Sequence, residues 1–374
     1  MKKVLEIEGL SPLLFGTGKP FSTESAALSA ETQAMPLPTT IAGAVRSELA
    51  RQKGWFGGSD KVAELNEVNF RGPFMRIAGE WYFPSPSDCA AVKVNDVSKN
   101  AACRPRDADG SFLPNGVKPT SLPAGDLEPD KREQGGLWSA TDTFKWLGNA
   151  DCKIYDCGEA RSYPPTEIRT HVEIDPDRRA HKKGQLFQTE GVISGSIAVM
   201  KDEVLEKFED QRIVFEYDAT EEFDGCKIGA ITLGGERRLA IANELPDGLP
   251  EMPDNLYQAM SETDLIRLQL ATPGLFEEGW KPNLANIKEL TGIDFELVSA
   301  CVGRRIPRAG WDAVKRGPRK LKWLAPAGSV YFLKCKKGEG EKLKDFWLKS
   351  MADDDEGRRD GYALALWGVW NYAQ

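Results

Sequence analysis

The clearest hydrophobic pattern lies in the C-terminal third of the chain. From Leu265 to Ala271, apolar residues alternate with Arg267 and Gln269, which predicts a half-buried strand with these two polar side chains facing outward. Asn283 to Thr291 predicts a short helix that ends at Gly292. The remaining elements predicted in this third are strands at Asp294–Val302, Ser329–Cys335 and Tyr362–Trp367 and a helix at Glu339–Met351. Their order is strand, helix, strand, strand, helix, strand.

The N-terminal part shows a less regular version of the same order. Val4 to Glu8 alternates as a strand, and a helix is expected after Pro38, with Thr39 as its N-cap and Gly43 allowing close approach to a sheet. The buried stripe predicted for this helix is Ile41, Ala44, Val45 and Leu49. Further along, the predicted elements are a strand at Gly191–Met200, a helix at Asp202–Glu209 and a strand at Lys227–Leu233.

These elements predict an α+β protein with two ferredoxin-like (RRM-like, βαββαβ) domains and long loop insertions. The first domain is expected over residues 1–250 and the second over residues 251–374. A large insertion, at about 84–165, interrupts the first domain and contains a predicted amphipathic helix at Trp138–Leu147. A loop at 303–327 stands where the second domain needs only a short hairpin, and loops of this size often carry function.

A projecting β-hairpin is predicted at about 169–191. Two alternating arms are joined by Asp175-Pro176-Asp177, which is a typical turn sequence. The tip carries five basic residues: Arg178, Arg179, His181, Lys182 and Lys183.

Charge is distributed unevenly in this chain of 374 residues, whose net charge is −8. Between Cys301 and Gly338 there are eleven cations and one anion, Asp312, so this segment carries +10 and the remainder −18. Such a segment attracts polyanions, including nucleic acid. Charge alone leaves open a solvated basic loop or one that docks on an acidic protein.

Composition narrows the function classes. No apolar run is long enough for a membrane helix, and the N-terminus does not resemble a signal peptide, so a cytoplasmic protein is expected. Seven scattered cysteines and two histidines do not form a metal-ligand pattern, and no phosphate-binding P-loop occurs. The acidic run Asp353–Glu356 is interpreted as a solvated turn. We therefore expect no metal and no cofactor.

A glycine pair followed by arginines forms a second candidate site. Gly234-Gly235 lets the backbone approach a ligand closely, and Arg237 and Arg238 supply guanidinium groups for phosphate. Glu236 is expected to orient an arginine. The alternative is a tight turn with two surface arginines.

Several blocks of sequence resemble the RAMP (repeat-associated mysterious protein) superfamily, and within it the Cmr-type subunit that caps the crRNA 5′ end in type III-B CRISPR effector complexes. The blocks are Pro12–Phe21, Pro36–Leu49, Arg169–Asp175, Gly184–Val192, Leu233–Ala240, Leu268–Pro282, Gly310–Phe332 and Gly361–Trp370. Two positions depart from the family pattern. Gly16-Thr17-Gly18 lacks the Asp and Arg usual in the first block, and Ala363 replaces a usual glycine.

The resemblance implies a non-catalytic crRNA-binding subunit that anchors the 5′ repeat-derived tag and docks the large polymerase-cyclase subunit in antiviral defence. It also implies contact with the backbone RAMP subunits and, indirectly, with target RNA. The hairpin corresponds to the family's thumb, which helps set the register of the guide. The candidate RNA-binding residues are Arg46, Arg169, His171, Arg178, Arg179, Lys182, Lys183, Gly234, Gly235, Arg237, Arg238, Arg304, Arg305, Arg308, Lys315, Arg316, Arg319 and Lys320.

Two alternatives remain beside this reading. Some RAMP relatives cut precursor crRNA without metal, and His171 is the only candidate general base for such an activity here. The second alternative is that the chain is an assembly scaffold that contacts only proteins. Within the basic loop, Trp311 and Trp323 either stack on unpaired bases or pack the loop onto its own domain.

Overall fold

The protein is described here in a computed structural model. The described residues are 2–18, 29–55, 61–108, 113–114, 116–125, 127–130, 135–156, 160–201, 204–308, 310–312 and 317–373. The chain has an α+β fold that divides into two units. Unit 1 comprises Met1–Gly79, Tyr163–Gly248 and Pro307–Lys322, and unit 2 comprises Glu80–Ser162, Leu249–Ile306 and Trp323–Gln374.

The secondary structure of the described residues consists mainly of strands. The strands are β1 (Lys2–Gly9), β2 (Ser29–Ala30), β3 (Asn69–Ile77), β4 (Glu80–Pro84), β5 (Cys89–Val94), β6 (Val97–Ala102), β7 (Arg104–Pro105), β8 (Thr120–Ser121), β9 (Glu128–Pro129), β10 (Leu137–Ser139), β11 (Ile154–Tyr155), β12 (Thr166–Asp175), β13 (Ala180–Val192), β14 (Gly195–Lys201), β15 (Val204–Asp218), β16 (Ala230–Thr232), β17 (Leu239–Leu245), β18 (Leu265–Leu270), β19 (Glu296–Cys301), β20 (Ile306–Arg308), β21 (Trp311–Asp312), β22 (Gly317–Pro318), β23 (Lys322–Leu324), β24 (Val330–Lys334) and β25 (Ala365–Val369).

The helices are fewer and mostly short. They are α1 (Pro38–Gln52), α2 (Val62–Asn66), α3 (Ala140–Gly148), α4 (Asp254–Glu262), α5 (Leu284–Thr291) and α6 (Asp355–Asp360), with 3₁₀ helices at Glu221–Phe223, Gly235–Arg237 and Glu339–Phe346. No helix among these is long and apolar enough to cross a membrane.

Unit 1 is built on an antiparallel sheet in the order β3-β15-β1-β17-β16, with β14 paired to β15. Helix α1 packs on this sheet through Ile41, Val45 and Leu49, which are fully buried. The predicted Thr39 N-cap is wrong, because the helix starts at Pro38, whose fixed φ and missing N–H suit a first helical position. Gly43 is exposed and approaches no other element, so its expected role is also wrong.

The helix predicted at Asp202–Glu209 is wrong. Its described part, residues 204–209, belongs to the long strand β15 and pairs there with β14. Hydrogen bonding to this neighbouring strand outweighs a helix propensity that only a few charged residues supported. The strand predicted at Gly191–Met200 is divided between the end of β13 and β14.

Unit 2 contains a four-stranded antiparallel sheet in the order β19-β24-β18-β25. The first three of these strands in the chain lie where they were predicted, whereas β25 begins three residues after the predicted start at Tyr362. Helix α5 has Asn283 as its N-cap, whose side chain accepts hydrogen bonds from two backbone N–H groups. Gly292 ends it at φ +72°, a left-handed conformation that glycine adopts without a Cβ clash. The helix predicted at Glu339–Met351 is instead a 3₁₀ helix that ends at Phe346.

The sequence predicts one domain over residues 1–250, whereas residues 80–162 belong to unit 2 together with the C-terminal part of the chain. Helix α3 packs on β25 so closely that a Cβ at Gly368 would lie 2.5 Å from the Leu147 carbonyl oxygen. Lys118 extends the sheet edge by donating its N–H to the Val298 carbonyl at 2.7 Å. This insertion therefore covers the sheet of the C-terminal part of the chain.

Coverage by the insertion also explains why Arg267 and Gln269 are completely buried, so their predicted outward orientation is wrong. The Arg267 Nη1 donates to Asp88 Oδ2 at 2.5 Å, and Arg104 Nη1 donates to the same oxygen at 2.7 Å. Trp146 Nε1 donates to the other oxygen of Asp88 at 2.8 Å. The three charged side chains form a cluster that has no solvent exposure.

Candidate nucleic-acid interface

An open cleft lies at the base of the β12–β13 hairpin in unit 1. The residues that line it are Pro12, Leu14, Glu167, Arg169, Thr189, Glu190, Gly191 and Arg238. The hairpin itself forms as predicted, with Asp175 accepting hydrogen bonds from the N–H groups of Asp177 and Arg178 in its turn. The cleft therefore brings together one arginine from the hairpin arm and one from the glycine-pair turn.

Both arginines of the cleft are paired with a carboxylate two residues away. Arg169 Nε donates to Glu167 Oε1 at 2.5 Å, and Arg238 Nη2 donates to Glu236 Oε2 at 2.6 Å. The second contact confirms that Glu236 orients an arginine. The hydrogen bond from Arg169 holds the pKa of Glu167 below its ordinary value, against a small opposing effect of burial, so this carboxylate is charged at neutral pH.

The glycine pair is packed against the N-terminal block of the chain. Gly235 donates its N–H to the Leu14 carbonyl oxygen at 2.8 Å, and a Cβ at Gly234 would lie 2.3 Å from the same oxygen. Gly234 has φ +80°, and Glu236 and Arg237 follow at φ 55° and 51°. The close approach that the glycines permit is thus used by protein backbone, while the exposed Arg237 side chain remains at the surface.

His171 lies on the β12 arm, facing the partner strand. Its Nε2 is 2.8 Å from Thr189 Oγ1, and its ring stacks on Phe187 with centroids 5.0 Å apart and an interplanar angle of 17°. These contacts hold the imidazole in one orientation on the same hairpin face as Arg169. Its partners are a hydroxyl and a ring rather than a second acid–base group.

At the hairpin tip, Arg178, Arg179 and His181 are exposed. The side chains of Lys182 and Lys183 lie outside the described residues. The opposite hairpin face is apolar and exposed, a feature that the sequence analysis missed although the alternation of β12 indicated it. Its residues are Ile168, Val172, Ile174 and Leu186, each 43–63% exposed.

The basic loop presents its cations unequally. Arg304 and Arg305 in unit 2 are exposed, as is Lys320 in unit 1, whereas Arg308 is only 5% exposed and Arg319 is half-buried. The segment that contains Lys315 and Arg316 lies outside the described residues, as does the side chain of Trp311. Among the described residues of the loop, the exposed guanidinium groups are thus at its beginning.

Trp323, at the other end of the loop, is 40% exposed. The Cζ atom of Arg305 lies 4.1 Å from its ring centroid, which is contact distance for a cation over an aromatic face. The indole therefore neither projects freely nor packs in the core.

Arg46 has a local structural role in unit 1. Its guanidinium donates to the carbonyl oxygens of Leu65 and Val68, each at 2.9 Å, and lies over the Phe70 ring. These contacts join α1 to the connection between α2 and β3. RNA contact by Arg46 stays a prediction.

The acidic run Asp353–Glu356 has structural partners. Asp354 accepts from the Gly357 N–H and so caps α6, and Asp353 accepts from the N–H groups of Glu277 and Asn283. Throughout the described part of the chain, no three His, Cys, Asp or Glu side chains form a group suited to a metal ion.

Ala363, the second departure from the family pattern, is buried and has φ +50°. This left-handed conformation favours glycine, the residue that the resemblance implies at this position. Its N–H donates to the Pro273 carbonyl oxygen at 2.8 Å, so the backbone here is held inside unit 2.

Comparisons with known proteins found one family model and several solved structures that match this chain. The model of the family described as CRISPR-associated protein (Cas_Cmr3) matches residues 5–370. A chain in a cryo-EM structure of the Type III-B Cmr-beta bound to cognate target RNA and AMPPnP is similar, with a TM-score of 0.51 and 16% identity over 88% of this chain and 86% of that one. A second such structure, bound to cognate target RNA, gives a TM-score of 0.50 at the same identity and coverage. No curated protein matches the sequence.

Proposed function

Because the chain belongs to the Cas_Cmr3 family of CRISPR-associated proteins, we propose that it is a non-catalytic RNA-binding subunit of a type III-B effector complex. In this role it anchors the repeat-derived tag at the 5′ end of crRNA. It also docks the large polymerase-cyclase subunit, contacts the backbone RAMP subunits, meets target RNA indirectly and acts in the cytoplasm in antiviral defence.

The proposal depends on the exposure of cations in one basic segment of a chain that is acidic outside that segment. Arg304, Arg305 and Lys320 project from a segment of net charge +10 in a chain of net charge −8. A guanidinium at the surface binds phosphate through parallel N–H donors, and the negative charge elsewhere limits indiscriminate binding to polyanions. The cleft below the hairpin adds two further guanidinium groups, those of Arg169 and Arg238, each of which is paired with a carboxylate.

The strand orders support two ferredoxin-like domains. In each unit, four strands can be numbered one to four in the order in which they follow along the chain. Across the sheet they then lie in the order 2-3-1-4, which is the arrangement of a split βαβ unit. In unit 1 those strands are β1, β3, β15 and β17, and a 3₁₀ helix stands where the second helix is expected.

The surroundings of His171 favour a structural role over catalysis. A metal-independent ribonuclease needs an acid–base group within reach of the 2′-hydroxyl and a partner that supports proton transfer. The contacts of His171 with Thr189 and Phe187 orient the ring without supplying such a partner. RNA that is recovered intact after incubation supports the non-catalytic role, and cleavage that disappears in His171→Ala supports the endonuclease alternative.

The proposal is tested by measuring the affinity of the purified chain for single-stranded RNA with the repeat tag at its 5′ end across a salt series. A scrambled RNA is the control. The test variant replaces Arg304, Arg305 and Lys320 with glutamine. Three neutralised phosphate contacts reduce the slope of log affinity against log salt by about 2, at roughly 0.7 per contact with a single strand.

The matched control variant replaces three exposed lysines outside the loop: Lys153, Lys288 and Lys342. It is expected to keep the wild-type slope. Equal loss in both variants indicates a general charge effect. The absence of binding at low salt removes the direct RNA role and favours the protein-only scaffold.

A further inference from the structure

Trp323 and Arg305 form a contact that differs from the other exposed aromatic and basic groups of the loop. Both belong to unit 2, both side chains are exposed, and the guanidinium carbon is 4.1 Å from the ring centroid. Arg305 forms no hydrogen bond or ion pair with a described residue, so stacking on the indole is what positions it. The cation is therefore held in place with its N–H donors unused.

This arrangement combines the two interactions that hold a nucleotide of a single strand. An exposed indole presents a π-surface to any unstacked base. A guanidinium donates paired N–H groups to a phosphate or to a base edge. Neighbouring Arg304 is equally exposed and unpaired among the described residues but has no ring beneath it, so it supplies charge without a fixed position.

We propose that Arg305 and Trp323 together form a binding site for one unpaired nucleotide of a single-stranded RNA. The base stacks on the indole and the Arg305 guanidinium donates to the adjoining phosphate. This inference rests on the proposed function and refines it, because it names the surface that selects an unstacked base rather than a duplex. It also decides between the two roles left open for Trp323.

A second feature of the structure supports this site. Gly303 lies against Pro326, and a Cβ at Gly303 would be 3.1 Å from Pro326 Cγ. The two ends of the basic loop are thus close together in unit 2, and Leu324 next to Trp323 is fully buried. The site is therefore anchored in the core at its base, which limits the entropy lost when a nucleotide binds.

The test measures binding of the full chain to single-stranded RNA that carries 2-aminopurine at successive positions of the 5′ tag. Stacking on an indole quenches 2-aminopurine, so at least one position is expected to lose fluorescence on binding. Trp323→Ala is expected to abolish this quenching and to lower affinity by about 5- to 100-fold, while leaving the salt slope unchanged because no charge is removed. Trp323→Phe is expected to restore most of the affinity.

Arg305→Lys keeps the charge and removes the planar guanidinium. We expect this variant to bind tagged RNA several-fold more weakly than wild type with an unchanged salt slope. The affinity of the matched control Arg304→Lys is expected to stay within about twofold of wild type. A duplex of the same sequence with blunt ends is expected to bind the wild type and Trp323→Ala equally. Thermal unfolding of each variant confirms that the fold is retained.

Several outcomes overturn the site. The first is full quenching of 2-aminopurine fluorescence by Trp323→Ala, and the second is an equal loss of RNA affinity in Arg305→Lys and Arg304→Lys. The third is that Trp323→Ala binds every single strand tested with wild-type affinity. The failure of the proposed function is distinct. In that case the wild type binds tagged and scrambled RNA equally, and Trp323-dependent quenching that occurs with both still supports a site for unpaired nucleotides.

Discussion

The substitution Asp88→Asn is expected to destabilise unit 2 strongly. Asp88 is fully buried and, among the described residues, is the only carboxylate paired with the guanidinium groups of Arg104 and Arg267, which are also fully buried. Asparagine has nearly the volume of aspartate, and its oxygen still accepts the hydrogen bond from Trp146 Nε1. It removes the negative charge, however, and its amide N–H groups then face the N–H groups of the two arginines. Two buried cations are then left without a counter-charge.

Removing one partner of a buried ion pair costs about 3–5 kcal/mol, and a folded domain is stable by only about 5–15 kcal/mol. For a unit of this size, such a loss lowers the melting temperature by about 6–20 °C, at roughly 2–4 °C per kcal/mol. The assay is thermal or urea unfolding followed by circular dichroism. The control is Asp156→Asn, which removes the partner of Lys99 from a position with 91% side-chain exposure and is expected to have no measurable effect.

The cluster also predicts how this stability depends on pH. Burial alone raises the pKa of Asp88, but the charges of Arg267 and Arg104 and the Trp146 hydrogen bond outweigh it, so the pKa lies below the ordinary value. Because its pKa is lower in the folded state, the Asp88 carboxylate stabilises the fold at pH values above its unfolded pKa of about 3.9. This contribution is lost as the pH falls through the lower pKa of the folded state. The Asp88-dependent difference in stability is therefore expected to be constant at neutral pH and to decrease only in strong acid.

One result would refute this reasoning. If Asp88→Asn unfolds at the same temperature as Asp156→Asn, the buried cluster does not form and the coverage of Arg267 by residues 80–162 is wrong. Conversely, replacing Arg267 with methionine in the Asp88→Asn background is expected to recover part of the loss, because one uncompensated charge is removed.

Three further predictions concern other parts of the molecule. Gly234→Ala is expected to lower thermal stability and RNA affinity more than Gly225→Ala, since both have positive φ but only Gly234 lies against a carbonyl oxygen. Burial raises the pKa of the Cys301 thiol to about 12, so peptide mapping is expected to show it alkylated by iodoacetamide at pH 8 only after denaturation. Glu236→Gln is expected to tighten RNA binding several-fold in a filter-binding assay, because it removes the anion paired to an arginine of the cleft.

Local sequence signals predicted the elements that depend on their own residues. The hairpin was predictable because Asp175 and the proline after it favour a tight turn between two alternating arms. Helix α5 was predictable from Asn283 and Gly292, which are a cap and a stop at fixed spacing. In both cases the deciding interactions lie within a few residues.

The features that the sequence did not predict depend on distant partners. Arg267 alternates with apolar residues as an exposed position does, but the carboxylate that neutralises it is 179 residues earlier in the chain. In the candidate site, the sequence indicated which residues are basic, whereas the burial of Arg308 and the stacking of Arg305 on Trp323 required the fold.

The central claim is that this chain itself contacts the 5′ tag of crRNA. The most direct measurement places 4-thiouridine at tag positions, crosslinks the assembled complex with long-wavelength ultraviolet light and identifies the crosslinked peptides by mass spectrometry. The account predicts crosslinks to this chain within residues 303–327 and 166–192. Crosslinks confined to other subunits, or to this chain only outside these two segments, would contradict it.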